Sequence, residues 1–271
     1  MATGAQDTIL PHGTFVKIVV AIKQVPARDS ELRIAASGDW IAVSDLAYEI
    51  NEPDAYALEA GLRLKEKHGG EVVVVCAGPE RAGQAIREAL AKGADRAIHI
   101  EEDTTSLDAL ACARLLAAAV RGEAPDLILT GLESEDLGLG QTGVILAELL
   151  GLPHSTIIME IEAGDGSVRV KRELEDGWFQ PIEMPLPALA AVQSGIGKLR
   201  YATLMGIRKA KTKEVRRVTA ASLGVAPGAP SVVVQRVYLP ERTRRTEFFT
   251  GDPAQAAAQL VEKLRFEARV I

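Results

Sequence analysis

Residues 131–143 carry the groups best suited to holding a phosphate. Their sequence, GLESEDLGLGQTG, follows an apolar run typical of a strand and leads into a helical pattern. The N-terminus of a helix offers free backbone N–H groups and the positive end of its dipole, both of which favour an anion. Glycines let the backbone approach a ligand closely, and Gln141 and Thr142 add an amide and a hydroxyl. The same pattern is common as tight packing, so a nucleotide site and a packing turn both remain open.

Two other segments should meet this turn at one edge of the sheet. They are the end of the first strand and the loop that opens the first long helix: Ala21, Ile22, Asn51, Glu52, Pro53 and Asp54. Ligands of open α/β sheets bind outside the carboxyl ends of the strands, so these segments together could hold an adenine nucleotide. Val144, not lysine, follows Gly143, and no G-x-G-x-x-G follows the first strand. Binding without hydrolysis is therefore favoured over nucleotide chemistry.

Other catalytic arrangements have little support. The acidic residues Glu173, Glu175 and Asp176 fall on an expected hairpin tip, where solvated charge is the common case. The four histidines share no metal-ligand spacing. Cys76 and Cys112 lie far apart in apolar runs, which favours buried thiols over a zinc or redox site. We expect no metal and no catalytic residue.

Composition narrows the class of protein. The chain has 271 residues, and 31 basic against 37 acidic side chains give a net charge of −6. Net acidity and an aromatic content of only 4% argue against a nucleic-acid binder. No apolar run is long enough to cross a bilayer, and no basic run precedes an apolar core in the first residues. We expect a cytoplasmic protein without membrane insertion and with a flexible extension over residues 1–15.

Residues 16–197 alternate apolar strands with amphipathic helices. Strands are expected at 16–25, 71–77, 96–100, 126–131 and 187–193. Helices are expected from 51 to about 67 and at 79–92, 107–121 and 141–150, the third capped by Ser106. Antiparallel hairpins are expected from 32–34 with 40–43, and from 155–162, 168–174 and 178–184. The pattern predicts an α/β fold: a doubly wound, mostly parallel, Rossmann-like sheet with an antiparallel addition.

Residues 198–271 differ from this domain. Lysines and arginines dominate residues 198–217, a short strand is expected at 231–238, and a helix at 252–270. These elements have no obvious sheet of their own. An extended C-terminal arm that covers a partner subunit is the natural inference, and packing back on the core is the alternative.

Five segments carry a resemblance to a known family. They are residues 19–25 (VVAIKQV), 51–66, 91–96 (AKGADR), 131–143 and 199–211, the last beginning LRYATL. Together they make the chain resemble the β subunit of electron-transfer flavoprotein over nearly its whole length, from Lys17 onward.

The resemblance implies a heterodimer. Its α subunit would hold most of an FAD that the β subunit touches, and the β subunit would bury an AMP that is not a substrate. With the sheet-edge argument, the candidate nucleotide ligands are Ala21, Ile22, Asn51, Glu52, Pro53, Asp54, Ala77, Gly131, Ser134, Asp136, Gly138, Gly140, Gln141, Thr142 and Gly143.

The resemblance also implies docking partners. Tyr201, Thr203 and Leu204 fall where the family places a recognition loop for acyl-CoA and similar dehydrogenases. Leu204 would be the apolar anchor, and the basic residues beside it would steer acidic partners. Electrons would pass on to a quinone-linked or other acceptor.

Two other functions stay open. Some members of the family hold a second FAD in place of AMP and bifurcate electrons from NADH, but Gln141-Thr142-Gly143-Val144 is closer to the AMP binders. A stand-alone adenine-nucleotide module of the stress-protein type would share the core but need no basic arm. The sequence departs from the family at Asn51-Glu52-Pro53, and residues 26–30 lack the aromatic that approaches the flavin in many members.

Overall fold

A computed structural model describes residues 16–44, 46–164, 166–226, 228–240 and 246–271. The expected N-terminal extension, residues 1–15, lies outside the described residues. The strands are β1 Val16–Ala21, β2 Gln24–Pro26, β3 Tyr48–Ile50, β4 Gly70–Gly78, β5 Arg96–Glu101, β6 Leu127–Gly131, β7 His154–Ala163, β8 Ser167–Glu173, β9 Phe179–Pro185, β10 Ala188–Val192 and β11 Val215–Val218. The α-helices are α1 Glu52–His68, α2 Gly83–Lys92, α3 Ala109–Arg121, α4 Thr142–Leu150, α5 Leu204–Ala210 and α6 Pro253–Phe266.

One sheet organises the chain, in the order β11-β5-β4-β1-β6-β10-β7-β8-β9. β1 pairs in parallel with both β4 and β6, so the chain moves outward in opposite directions from the β1–β6 pair. Helices α1 and α2 pack on one face, and α3 and α4 pack on the other. The predicted doubly wound α/β fold is confirmed. Its switch point lies between β1 and β6, where such folds bind ligands.

Local sequence explains where the elements begin and end. The apolar runs of β1, β4 and β6 are buried on both faces, as expected of central parallel strands. Gly69 follows α1 with a positive φ of 78°, which glycine adopts at little cost. The prediction that Ser106 caps the third helix is wrong. Asp108 is the cap, and its side chain accepts a hydrogen bond from Ala111 N at 2.8 Å.

The antiparallel addition has the predicted form. β7, β8 and β9 pair in sequence and extend the sheet beyond β10. The hairpin expected over residues 32–43 is reduced to one bridge between Ile34 and Ile41. The first strand is shorter than predicted, because the chain leaves the sheet after Ala21. β2 then pairs with β3 as a separate ribbon.

The C-terminal residues divide into two parts. β11 extends the main sheet beside β5, and α5 packs against α2. Beyond them, the strand predicted at 231–238 is wrong. These residues form no strand, and Val232, Val233 and Val234 are exposed. A β-branched run favours a strand only where a neighbouring strand can pair with it. Helix α6 begins with a capping box formed by Asp252 and Gln255.

Candidate functional site

A cleft opens at the carboxyl ends of β1 and β6. The loop between β6 and α4 forms one side, and the beginning of α3 forms the other. The loop before α1 closes one end. The lining residues are Ala21, Ile22, Lys23, Asn51, Asp54, Ala77, Thr104, Leu107, Asp108, Ala109, Cys112, Leu116, Thr130, Gly131, Leu132, Glu133, Ser134, Leu137, Leu139, Gly140, Gln141, Thr142 and Gly143.

Asp54 connects three segments at the base of the cleft. It is buried in the first turn of α1. Its Oδ2 accepts a hydrogen bond from Lys23 N at 2.7 Å, and its Oδ1 accepts one from Gly131 N at 2.9 Å. Burial raises the pKa of Asp54 to about 7, although the two backbone donors favour the carboxylate. One side chain thus joins the ends of β1 and β6 to the first turn of α1.

Asn51 holds the loop over the cleft. Its Nδ2 donates to Glu133 O at 2.9 Å, and its Oδ1 accepts from Glu135 N at 2.9 Å. Asn51 therefore bonds to the loop and does not cap the first turn of its own helix with its side chain. Lys23 Nζ adds hydrogen bonds to Asp136 Oδ1 at 2.6 Å and to Ser134 Oγ at 3.2 Å. These contacts fix the loop against the end of β1.

The beginning of α4 presents unused donors. Gln141 precedes the helix and makes no side-chain hydrogen bond to its first turn. The first N–H groups of a helix have no partner within the helix. Beneath them, the buried Thr130 Oγ1 finds no hydrogen-bond partner in the described part of the chain. A Cβ on Gly143 would lie 2.7 Å from this hydroxyl, so the close approach of the start of α4 to Thr130 requires glycine. This corner of the cleft can accept an anion.

The loop itself depends on glycine at two turns. Gly138 has a φ of 59° and Gly140 a φ of 61°. Gly138 N donates to Ser134 O at 2.7 Å, which folds the loop back on itself. The backbone is thereby brought round to α4 with Thr142 and Gly143 at its start.

The cleft gathers most of the predicted site residues. Those that line it are Ala21, Ile22, Asn51, Asp54, Ala77, Gly131, Ser134, Gly140, Gln141, Thr142 and Gly143. Glu52, Pro53, Asp136 and Gly138 do not line it. Asp136 instead binds Lys23, and Glu52 binds Arg28 at 2.8 Å.

Sequence reasoning missed one wall of the cleft. Thr104, Leu107, Asp108, Cys112 and Leu116 come from α3 and the turn before it. The signal was available, because this turn follows the carboxyl end of β5 at the same edge of the sheet. Lys23 and Thr130 were also missed, although each adjoins a residue that was predicted.

A second exposed feature lies on another part of the chain. Residues 201–207, called here the 201–207 segment, hold four exposed apolar side chains: Tyr201, Leu204, Met205 and Ile207. Tyr201 is 90% exposed and Leu204 is 82% exposed. Thr203 caps α5 through a hydrogen bond from Gly206 N to its Oγ1 at 3.0 Å. Leu204 therefore stands on the first turn of a short helix. Exposed apolar side chains grouped in this way are typical of surfaces that bind other proteins.

The described ranges also bear on metal binding, membrane insertion and thiol chemistry. They hold no group of three or more His, Cys, Asp or Glu residues placed to bind a metal. None of their helices combines the length and the apolar character needed to cross a bilayer. Cys76 is buried, and burial raises the pKa of its thiol to about 12. Cys112 is half-buried in the wall of the cleft, and burial also raises the pKa of its thiol.

Comparison with known proteins decides the family. A family model described as "Electron transfer flavoprotein domain" matches residues 39–223. The chain belongs to the electron transfer flavoprotein family. The match spans every residue that lines the cleft except Ala21, Ile22 and Lys23, and it includes the 201–207 segment.

The curated relatives are β subunits of electron transfer flavoprotein. The subunit from Methylophilus methylotrophus is 35% identical over 257 residues, which cover 91% of this chain and 97% of that protein. The subunit from Syntrophomonas wolfei is 36% identical over 256 residues, covering 94% and 98%. The subunit from Bacillus subtilis is 35% identical over 247 residues, covering 90% and 96%. The resemblance to the electron transfer flavoprotein β subunit is confirmed.

Proposed function

We propose that this chain is the β subunit of a heterodimeric electron transfer flavoprotein. It carries electrons from dehydrogenases of the acyl-CoA type to a quinone-linked or other acceptor. FAD, shared with an α subunit, supplies the redox chemistry when bound. The chain itself binds AMP as a structural nucleotide and provides the surface on which the dehydrogenase docks.

The cleft between β1 and β6 is the observation that carries the AMP proposal. The uncapped start of α4 and the Thr142 hydroxyl lie where donors for a phosphate are needed. Leu107 and Leu116 supply apolar surface on the facing wall, which suits a base or a ribose. No lysine follows Gly143, so the nucleotide is held and not hydrolysed.

The contacts around the loop suit permanent retention of a nucleotide. Asn51 and Lys23 hold the loop closed from the β1 side. Both carboxylate oxygens of Asp54 accept hydrogen bonds from backbone N–H groups. Its role is therefore to shape the cleft and not to bind the ligand. A second FAD in place of AMP remains the alternative occupant, and nucleotide analysis distinguishes the two.

The 201–207 segment supports the docking proposal. Its exposed apolar side chains offer an anchor of the kind that small transient interfaces use. Lys198, Arg208, Lys209 and Lys211 surround it with positive charge. That charge speeds association with an acidic partner and makes the rate fall with ionic strength.

Co-expression with an α subunit tests the proposed function. The chain is produced together with the electron transfer flavoprotein α subunit of the same genome, and the purified complex is mixed with substrate-reduced acyl-CoA dehydrogenase. We expect a 1:1 complex that contains FAD and whose flavin absorbance is bleached by the dehydrogenase. A chain that stays alone as a colourless monomer would favour the stand-alone nucleotide module and contradict the proposal. A complex oxidising NADH with two FAD would indicate bifurcation instead.

A further inference from the structure

We propose that Arg200 is a positioning residue for electron transfer, which holds the 201–207 segment in a fixed orientation by bonding it to helix α1. The proposal rests on the proposed docking function of that segment. Arg200 lies next to Tyr201 in the chain and contacts no nucleotide-cleft residue. Its role is to determine how the exposed apolar side chains are presented.

Arg200 binds two carboxylates on one face of α1. Its Nε donates to Glu59 Oε2 at 2.7 Å, and its Nη1 donates to Glu66 Oε1 at 2.6 Å. Its Nη2 adds bonds to Glu59 Oε1 at 3.2 Å and to Glu66 Oε2 at 3.1 Å. Glu59 and Glu66 lie two turns apart on the helix. The forked, planar guanidinium thus donates two hydrogen bonds to each carboxylate, a geometry that lysine cannot reproduce.

The Glu59 end of this contact is buried. Its side chain is only 6% exposed. Burial favours the neutral acid, but hydrogen bonds from Arg200 and Arg63 hold the pKa of Glu59 below its ordinary value. Arg63 also donates to Lys198 O at 2.7 Å. Arg200 and Arg63 thus share the buried Glu59 carboxylate, and removing either cation from a buried carboxylate is costly.

The far end of the segment is fixed to a different helix. A Cβ on Gly206 would run into the backbone of Ala91, so α5 lies directly against α2. Arg87 Nη1 donates to Ala210 O at 2.6 Å and to Lys213 O at 3.1 Å. The 201–207 segment is therefore held to α1 at its beginning and to α2 at its end. Its apolar side chains are exposed.

This arrangement reduces the cost of docking. A partner that binds a mobile segment must also order it, and that ordering weakens the association. Breaking the Arg200 contact leaves this end of the segment bonded to α1 through Arg63 and Lys198 O. The end is then held less firmly, while Leu204 and Met205 stay in the sequence. The expected signature is weaker association with the dehydrogenase and unchanged electron transfer once the complex has formed.

The test uses the FAD-containing heterodimer with acyl-CoA dehydrogenase. KM for the heterodimer and kcat are measured for wild type, Arg200→Gln and Arg200→Lys. We expect Arg200→Gln to raise KM about tenfold and to change kcat less than twofold, with FAD content unchanged. Arg200→Lys should give an intermediate KM, because the ammonium keeps the charge but not the fork.

Arg208→Gln is the matched control. It removes the same charge from α5, where the side chain is exposed. This variant measures the effect of lost electrostatic steering alone, and we expect it to raise KM at most twofold. Equal KM values for Arg200→Gln and Arg208→Gln would overturn the positioning role.

Leu204→Ala separates the two proposals. A raised KM for Leu204→Ala with a wild-type KM for Arg200→Gln would overturn the Arg200 inference and leave docking intact. Wild-type KM values for both would overturn docking on this segment. If the heterodimer with Arg200→Gln does not assemble, Glu66→Gln is measured in its place. This change removes only the exposed half of the contact, the bond between Arg200 and Glu66. A threefold rise in its KM supports positioning, and an unchanged KM overturns it.

Discussion

Replacing Gly131 by alanine tests how the cleft is built. Gly131 ends β6, and its N–H donates to Asp54 Oδ1 at 2.9 Å. A Cβ at this position would lie 2.7 Å from Asp54 N and 2.8 Å from Pro53 C. Both are backbone atoms, which cannot turn away as a flexible side chain would. The end of β6 and the first turn of α1 would have to separate.

The expected loss of stability has two causes. Overpacking of a close contact costs about 1–3 kcal/mol. Separation also stretches the hydrogen bond from Gly131 to the Asp54 carboxylate, and a bond to a charged group contributes about 1.5–3 kcal/mol. We therefore expect Gly131→Ala to lower the free energy of unfolding by about 2.5–6 kcal/mol. The cleft should lose its shape at the same time, and with it the nucleotide.

Gly83→Ala is the matched control. A Cβ on Gly83 would meet nothing within 4 Å, and the residue lies at the start of α2 with a helical φ of −54°. Alanine there should leave stability unchanged or raise it by up to about 1 kcal/mol. Unfolding by denaturant and nucleotide content are measured for the heterodimer with each variant. Equal stability and equal nucleotide content in the two variants would refute the structural reasoning.

Three further changes probe the cleft and the exposed segment. Thr142→Val should weaken retention of AMP at least tenfold, because it removes a hydrogen-bond donor that contributes about 1.5–3 kcal/mol. The AMP that remains bound after dialysis is extracted and counted, and Thr142→Ser should retain the nucleotide. Because the pKa of Asp54 is raised from 3.8 to about 7, the folded state holds a proton that the unfolded state releases, so this group lowers stability as pH rises between those values. Asp54→Asn should flatten that fall in unfolding titrations, and an identical pH dependence would contradict the burial argument. Leu204→Ala should slow flavin reduction by the dehydrogenase without loss of FAD, whereas Leu204→Met should retain most of the rate. Equal rates for the alanine variant and wild type would exclude Leu204 as the apolar anchor.

The sequence predicted the sheet because its signals are local. Apolar runs such as residues 71–77 mark strands buried on both faces, and the glycines at 69–70 and 93 mark the ends of helices. The turn at 131–143 was placed correctly for the same reason, since it follows such a strand directly.

The errors came from features that depend on distant contacts. The β-branched run at 231–238 has strand propensity, but no neighbouring strand pairs with it. The expectation that Asp54 binds the ligand stays a prediction, but the sequence did not show that both of its oxygens accept backbone N–H groups from Lys23 and Gly131. Those donors lie far from it in sequence, so periodicity could not reveal them.

The wall formed by α3 was missed because the start of that helix was misplaced. Ser106 and Asp108 are both good capping residues, and only Asp108 makes the bond. Moving the helix start to Ala109 places Leu107 and Asp108 at the carboxyl edge of the sheet, beside the cleft.

Analysis of the nucleotides released from the intact heterodimer tests the proposed function most directly. The purified complex is denatured, and the released compounds are identified by chromatography and mass spectrometry and counted against protein. The proposed function predicts one FAD and one AMP for each heterodimer, with AMP lost selectively from the Thr142→Val complex. A heterodimer that holds its FAD but releases neither AMP nor a second FAD would contradict the assignment of the cleft as a nucleotide site.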